Sequence, residues 1–247
     1  MTDARVPRLY VDAALESQTR LVLPEDAAHH AARVLRLREG DSIAIFNGLG
    51  GEYAARIAKI GKKDVEVEIG EHSSLERESP LAVTLVQGVS SGEKMDFTIQ
   101  KAVELGVAAI QPILTAKSLV RLNAEREAKK LAHWKRIAIA ACEQCGRNRL
   151  PEVREAMSVE AYCRAPAPAA LRLLLSPGGN SGLKSLQDRI QGTVSLAVGP
   201  EAGFSTAEEQ LLARTGFVAV RLGRRILRTE TAALAALAAL NALAGDF

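Results

Sequence analysis

Polar and apolar residues alternate from Asp41 to Gly70, through "DSIAIFNG", "GEYAARIAKIG" and "KDVEVEIG". A period of two marks strands with one face in a core and the other in water. Three short antiparallel strands are therefore predicted, with Asn47-Gly48 as the turn between the first two. Upstream, "PEDAAHHAARVLRL" (24–37) opens on a proline and two acids and sets Ala28, Ala31, Val34 and Leu35 at helical spacing. It predicts one helix packed on the sheet.

The rhythm changes at Leu81. "LAVTLVQGV" (81–89), "TVSLAVG" (193–199) and the middle of "PAPAALRLLLSPGGNSG" (166–182) are nearly unbroken apolar runs, as in strands covered on both faces. Helical periods lie between them. In "EKMDFTIQKAVELGV", Met95, Ile99, Ala102, Val103 and Gly106 share a face. In "NAEREAKKLAHWKRIAIAACEQCG", Asn123 is a candidate N-cap, Leu131, Trp134, Ala138, Ala141 and Cys145 form a seam, and Gly146 is a stop. Strands alternating with helices predict an α/β domain with a largely parallel sheet. The polar, aperiodic "HSSLERESP" (72–80) separates the two patterns. The predicted organisation is a small β domain over 1–72, a linker over 73–80 and an α/β domain over 81–247.

With 47% hydrophobic and 25% charged residues among 247, the chain can bury the cores of two domains. No apolar stretch reaches the roughly 20 residues that span a bilayer, and "MTDARVPRLYVDAALESQTR" lacks the apolar region of a signal peptide. A cytoplasmic location with no membrane partner is expected. Three cysteines, an odd number, point to reduced thiols rather than a disulfide framework. The net charge of +3 is unevenly spread: Lys117 to Arg154 holds ten Lys/Arg against four Asp/Glu, and "RLGRRILR" (221–228) has four arginines and no acid. Residues 1–72 hold ten basic and twelve acidic residues. Cationic surface in the second half suits a polyanion such as RNA, or is a solvated helix face.

Two motifs suggest chemistry that their surroundings do not support. "GVSSG" (88–92) follows a predicted strand and matches the nucleophile elbow of serine hydrolases. However, His133 is the only histidine after Ser90, and Asp96, the only aspartate between them, comes six residues after the candidate nucleophile. A serine–glycine turn is the better reading. "CEQC" (142–145) has no second such pair, and the adjacent His29 and His30 cannot face one ion from a helix. Its cysteines read as small buried hydrophobes, and no metal is expected. His29 and His30 read as surface or interdomain residues, with RNA contact as the alternative.

"VGPEAGFS" (198–205) is a glycine loop with a carboxylate, Glu201, and no lysine. A phosphate loop needs the reverse, and the spacing is not that of a dinucleotide fold. Gly199 and Gly203 would let backbone approach a small molecule, Pro200 stiffens the turn, and Ser205 and Glu208 form a capping box for the next helix. A second turn, in "RLGRRILRTETAALAAL" (221–237), joins Leu222-Gly223 to a cationic hook and to a helix that Thr229 or Thr231 could cap. Two such loops at the carboxyl ends of neighbouring strands predict one ligand pocket.

These segments, "GPEAGFS" and "LGRRILRTETA" with "GEKMDFTIQKAVELGV" and "AIAACEQCGRNRLPE", resemble the RsmE family of ribosomal RNA uridine-N3 methyltransferases of the SPOUT superfamily. "PRLYV" and "HHAARVLRLREGD" resemble that family's PUA-like amino-terminal domain. The resemblance implies a PUA-like β-barrel that binds RNA, a SPOUT domain with a deep trefoil knot, and a homodimer. It further implies S-adenosylmethionine as cofactor and 16S ribosomal RNA of the small subunit as partner, with N3-methyluridine formed in the decoding region. The implied cofactor-binding residues are Leu175 and Pro177; Gly199, Pro200, Glu201 and Gly203; and Leu222, Gly223, Ile226, Leu227 and Arg228. The usual G-P-E-G-G is G-P-E-A-G here, so position 202 should not need a positive φ.

A cationic sulfonium donor tolerates Glu201 where a phosphate would not. Methylation at N3 requires the imide proton to leave, which calls for a base or for cations that stabilise the imidate. Glu143, Arg147, Arg228 and Glu230 are the candidates, with Arg149 beside them; alignment of the reacting atoms could also supply most of the rate. Arg8, Arg33, Arg36, Lys94, Arg147 and Arg149 are the candidate RNA contacts. The competing class is a non-catalytic RNA-binding or ribosome-assembly protein that lost the donor; two intact glycine loops speak for the enzyme.

Overall fold

The computed structural model describes residues 6–62, 64–117, 124–166 and 168–247; the candidate cap Asn123 lies outside them. The chain forms two compact units. One comprises the residues up to Glu78 with Cys142–Leu150, the other Ser79–Ala141 with Pro151–Phe247.

In the first unit the three predicted strands are β3 (Ser42–Phe46), β4 (Glu52–Ile60) and β5 (Val65–Ser73), paired antiparallel in that order. Two three-residue strands flank them: β1 (Arg8–Tyr10), parallel to β3, and β2 (Arg20–Val22), antiparallel to β5. Alternate residues Ile57, Val65, Val67 and Ile69 meet Leu9, Ile43 and Ile45 in the core. The predicted helix begins as α1 (Glu25–His29) and passes into a π-helical turn, His30–Val34, where the Leu35 N–H donates to His30 O at 2.9 Å. The extra residue per turn rotates the buried face. Ala27, Ala28 and Ala31 stay inside, but Val34, predicted inward, is 57% exposed.

Residues 142–150, assigned from the sequence to the second domain, bond within the first unit. Arg147 grips Glu78, with Nη2 2.5 Å from Oε2. The Asn148 amide donates to Leu75 O at 2.7 Å, and its Oδ1 accepts from Arg8 at 2.6 Å. The Tyr10 N–H donates to Glu143 at 2.9 Å. Glu52, 4% exposed, holds Arg8 and, at 3.3 Å, Arg77. The predicted linker is thus partly strand and partly pinned by ion pairs, and its polar, aperiodic sequence reflects bonding to distant partners. Burial pushes the Cys142 thiol up to about 12, as expected of a small hydrophobe rather than a nucleophile. Cys145 is only half-buried, so Cys142 takes the inward place predicted for it.

The second unit is built on the strands β6 (Ala82–Gly88), β7 (Ala109–Leu114), β8 (Glu152–Val153), β9 (Met157–Ser158), β10 (Leu171–Leu175), β11 (Thr193–Val198) and β12 (Val218–Val220). Their order is β12-β10-β11-β6-β7-β8, with β9 also on β7, and every pairing is parallel. Val86, Ala197 and Leu174 face α4 (Val159–Arg164) and α5 (Thr206–Arg214), in one cluster with Tyr162, Leu212 and Phe217. On the other side α6 (Thr229–Ala244) packs on β6, β11 and α2 (Gly92–Glu104). Both faces are covered, which is why β6 and β11 read as continuous apolar runs. The long helix α3 (Ala124–Cys145) buries Trp134, Ala138 and Ala141 as predicted.

His133 does meet Asp96 at 2.8 Å, but the Ser90 hydroxyl is buried and has no hydrogen-bond partner. No triad forms. Among the described residues no helix is long and apolar enough to cross a membrane, and no group of three or more His, Cys, Asp or Glu could hold a metal.

Burial alone would raise the Glu52 carboxyl, but Arg8 and Arg77 outweigh it and hold the group below its ordinary value. A depressed carboxylate contributes stability that is complete above the unfolded value and is lost as pH falls through the folded one. Glu52→Gln is expected to cost the first unit about 3 kcal/mol at neutral pH, because it leaves two cations without their buried partner. Urea titrations at pH 7 and pH 3 check this: the gap between variant and parent should shrink in acid.

Candidate functional site

Three adjacent strands, β12, β10 and β11, end in loops that line one cavity of about 810 Å³. This is within the roughly 300–1,000 Å³ of small-molecule sites, at the carboxyl ends of the strands where open parallel sheets hold ligands.

After β11 the chain makes a tight turn in which the Gly203 N–H donates to Pro200 O at 2.8 Å. Its two glycines serve different needs. Gly203 sits at φ +68°, the left-handed region, with open space where a Cβ would be. Gly199 needs room: a Cβ there would lie 2.9 Å from Gly203 Cα and 3.0 Å from Phe204 N. Ala202 is not at positive φ, as its identity predicted. The capping box closes the turn, with Ser205 N–H on Glu208 Oε2 at 2.7 Å and Glu208 N–H on Ser205 Oγ at 3.3 Å.

The second loop runs from Arg221, whose N–H donates to Ser181 O at 2.9 Å, through Gly223 at φ +74° to the start of α6. Neither candidate threonine caps that helix; Arg228 occupies the N-cap position, with no side-chain cap bond. Instead the Thr229 hydroxyl donates to Gly199 O at 2.6 Å and accepts from Gln87 Nε2 at 2.9 Å. One hydrogen-bonded chain thus ties both glycine loops to the end of β6. Gln87 and this bridging role of Thr229 were not foreseen, although a lone glutamine inside an apolar strand is a signal of such a tie.

The eleven residues expected to hold the cofactor, Leu175, Pro177, Gly199, Pro200, Glu201, Gly203, Leu222, Gly223, Ile226, Leu227 and Arg228, all line this cavity, and so does Lys94. Ser176, Thr229 and three further arginines, Arg221, Arg224 and Arg225, join them. The four arginines of the second loop are exposed, and between them Ile226 is 84% exposed. Glu201 does not stand alone. Burial alone would raise its carboxyl, but bonds from its own N–H, from the Ser91 N–H and hydroxyl and from Lys94 bring it down to about 2. Its charge is countered by Lys94 at 3.1 Å.

Glu230 is not among the lining residues; one of its carboxylate oxygens is buried without a hydrogen-bond partner. Glu143 and Arg147 belong to the first unit. Burial pushes the Glu143 carboxyl up, against the Tyr10 N–H and His30. Arg8 and Arg147 are committed to ion pairs there, whereas Arg33 and Arg36 are exposed and the Arg149 side chain is 56% exposed, 3.5 Å from Glu76.

An RNA methyltransferase domain matches residues 77–241, and an RNA methyltransferase PUA domain matches residues 23–70. The ribosomal RNA small subunit methyltransferase E of Buchnera aphidicola (subsp. Schizaphis graminum) is 35% identical over 98% of both chains. The chain belongs to the ribosomal RNA small subunit methyltransferase E family. The methyltransferase E of Bacillus subtilis is 31% identical, over 92% of this chain and 91% of its own. Among solved structures, the methyltransferase E of Neisseria gonorrhoeae bound to S-adenosyl methionine matches with a TM-score of 0.91 at 41% identity, over 98% of this chain and 100% of its own. A methyltransferase from Legionella pneumophila with bound cofactor SAM matches with a TM-score of 0.95 at 40% identity, over the same shares.

For this member of the methyltransferase E family, Gly199→Ala is expected to force the turn after β11 apart. Overpacking of this kind costs about 1–3 kcal/mol. Gly203→Ala should cost about 1–2 kcal/mol through backbone strain alone. Thermal unfolding of the two variants, with and without S-adenosylmethionine, separates the effects. Donor-induced stabilisation should be lost in Gly199→Ala and reduced in Gly203→Ala.

Proposed function

We propose that this chain transfers a methyl group from S-adenosylmethionine to N3 of a uridine in the decoding region of 16S ribosomal RNA. The observation that carries the reading is the single cavity walled by both glycine loops, in a chain 41% identical to a methyltransferase E bound to S-adenosyl methionine. The cavity suits the donor: Gly199 and Gly203 bring backbone to its wall, and the arginines of the second loop offer partners for a carboxylate. Leu175, Pro177, Gly199, Pro200, Gly203, Leu222, Gly223, Ile226 and Leu227 would hold it. Bound there, the donor supplies an electrophilic methyl on a cationic sulfur.

The protein's own contribution is orientation and charge. Arg228, at the N-cap of α6 and on the cavity wall, would stabilise the imidate that forms as the uridine proton passes to water, with Glu230 two positions on in the helix. Glu143 and Arg147 serve the first unit as internal partners. That unit, the PUA-like RNA-binding part, would touch phosphates through Arg33, Arg36 and Arg149, since Arg8 and Arg147 are spent on Glu52, Asn148 and Glu78. The SPOUT assignment, with its trefoil knot, a homodimer, and a cytoplasmic site of action complete the proposal. They rest on the resemblance of the chain's segments to the family.

The decisive experiment incubates the protein with donor and undermethylated small subunits or free 16S RNA, followed by nucleoside mass spectrometry. N3-methyluridine is the expected product; methylation at a ribose or at no position would overturn the reading. RNA binding without donor binding would instead place the chain among ribosome-assembly proteins. Arg33→Ala and Arg36→Ala should each lower the slope of log affinity against log salt by about 0.7–0.9, the share of one phosphate contact. Arg147→Ala should leave that slope unchanged and lower stability.

A further inference from the structure

The β6–α2 turn, "QGVSSGEK" (87–94), has the outline of a hydrolase elbow but forms no triad. Three of its side chains reach the loop after β11. Gln87 does so through Thr229, while Ser91 and Lys94 bind Glu201 directly. A single carboxylate oxygen, Glu201 Oε1, accepts from the Ser91 N–H at 3.2 Å, the Ser91 hydroxyl at 3.0 Å and Lys94 Nζ at 3.1 Å. This is the loop's one ion pair among the described residues.

We propose that the β6–α2 turn is a positioning element for the donor loop: Ser91 and Lys94 latch Glu201, and Glu201 supports binding by fixing the loop rather than by balancing the donor's positive charge. The inference rests on the assignment of the cavity to S-adenosylmethionine. Glu201 occupies the middle of the Pro200–Gly203 turn, whose own backbone contributes one closing hydrogen bond. Its carbonyls at Ala202 and Phe204 are held from another side by Lys117, at 3.4 and 3.1 Å. The Glu201 tether adds restraint from the β6–α2 side, and the start of α2 favours the negative charge it receives. With an ammonium 3.1 Å away, the pair presents a small net field to a sulfonium beyond it. Lys94, a candidate RNA contact from its sequence position, is on this view an internal counter-ion.

The test compares the parent with Glu201→Gln, Lys94→Met, Ser91→Ala and the Lys94→Met/Glu201→Gln double variant. Calorimetry uses two ligands, cationic S-adenosylmethionine and S-adenosylhomocysteine, whose sulfur is neutral. A latch predicts that Glu201→Gln weakens both ligands alike, by about tenfold. It also predicts that the double variant is little worse than either single one. Charge balance predicts a loss confined to the cationic ligand and independent of Lys94, and that result overturns the proposal. Hydrogen exchange of the donor-free proteins reads the latch without any ligand. The amides of Glu201 to Phe204 should exchange about tenfold faster in the variants, while those of β11 and α5 stay unchanged. Unchanged loop exchange overturns the latch, and faster exchange with unchanged affinities overturns its role in binding. If the parent binds neither ligand, the cavity assignment fails by itself, and the exchange data still decide whether the latch exists.

Discussion

Where β6 and β11 end side by side, two backbones come closer than any side chain would allow. Their register pairs Gln87 with Val198, so Gly88 falls beside the Gly199-Pro200 peptide. A Cβ on Gly88 would overlap Pro200 Cδ and its backbone nitrogen. That contact fixes where the loop after β11 leaves the sheet, and with it the wall of the cavity. The neighbouring Gln87 then finds Thr229, and Thr229 finds Gly199 O, so the second loop inherits its position from the same strand end. Each loop has restraints of its own, the Pro200–Gly203 bond and capping box in the first and the Arg221–Ser181 bond in the second, and the end of β6 ties the two together.

The charges around the cavity fall into two groups with different work. Glu201 and Lys94 cancel each other at the side of β6 and α2, and a carboxylate held near 2 remains ionised throughout the physiological range. Arg221, Arg224, Arg225 and Arg228 are exposed on the opposite loop, which carries no acid. A pocket that must accept a sulfonium and yet face a polyanionic substrate gains from this division. The paired Glu201 and Lys94 add no net charge to the β6–α2 wall, and the cationic loop on the opposite wall attracts phosphates through water over about a Debye length, roughly 8 Å at physiological salt.

Much of this was readable from residue patterns where the signal is local. β3, β4 and β5 follow a period of two, β6 and β11 follow from burial on both faces, and the Ser205–Glu208 box follows from hydrogen bonds that span a single turn. The lining of the cavity was readable too, because glycine loops at strand ends are local features. What escaped depends on partners far along the chain. β1 and β2 are too short to show a period. The π-helical turn at His30–Val34 defeats a 3.6-residue template and puts Val34 outside. Residues 142–150 contain arginines that look solvent-facing, yet Arg147 is 4% exposed because Glu78, 69 positions earlier, awaits it. Thr229 looks like a helix cap and is instead a bridge between two loops.

The alanine in G-P-E-A-G illustrates how tertiary geometry decides which glycine is obligatory. Turn chemistry alone would assign positive φ to either residue of a terminal Gly-Gly pair. Here the turn closes between Pro200 O and the Gly203 N–H, and only the fourth residue is left-handed. Position 202 is therefore open to any small L-residue that keeps clear of the cavity, and its carbonyl, held by Lys117, matters more than its side chain. Position 199 obeys the opposite rule: its backbone is ordinary, and what excludes a side chain is Gly203 folded back onto it. The two glycines flanking Glu201 are thus coupled. Gly203, in the left-handed region, makes the close turn, Gly199, without a side chain, leaves room for it, and the carboxylate between them reaches the start of α2 from the turn that both shape.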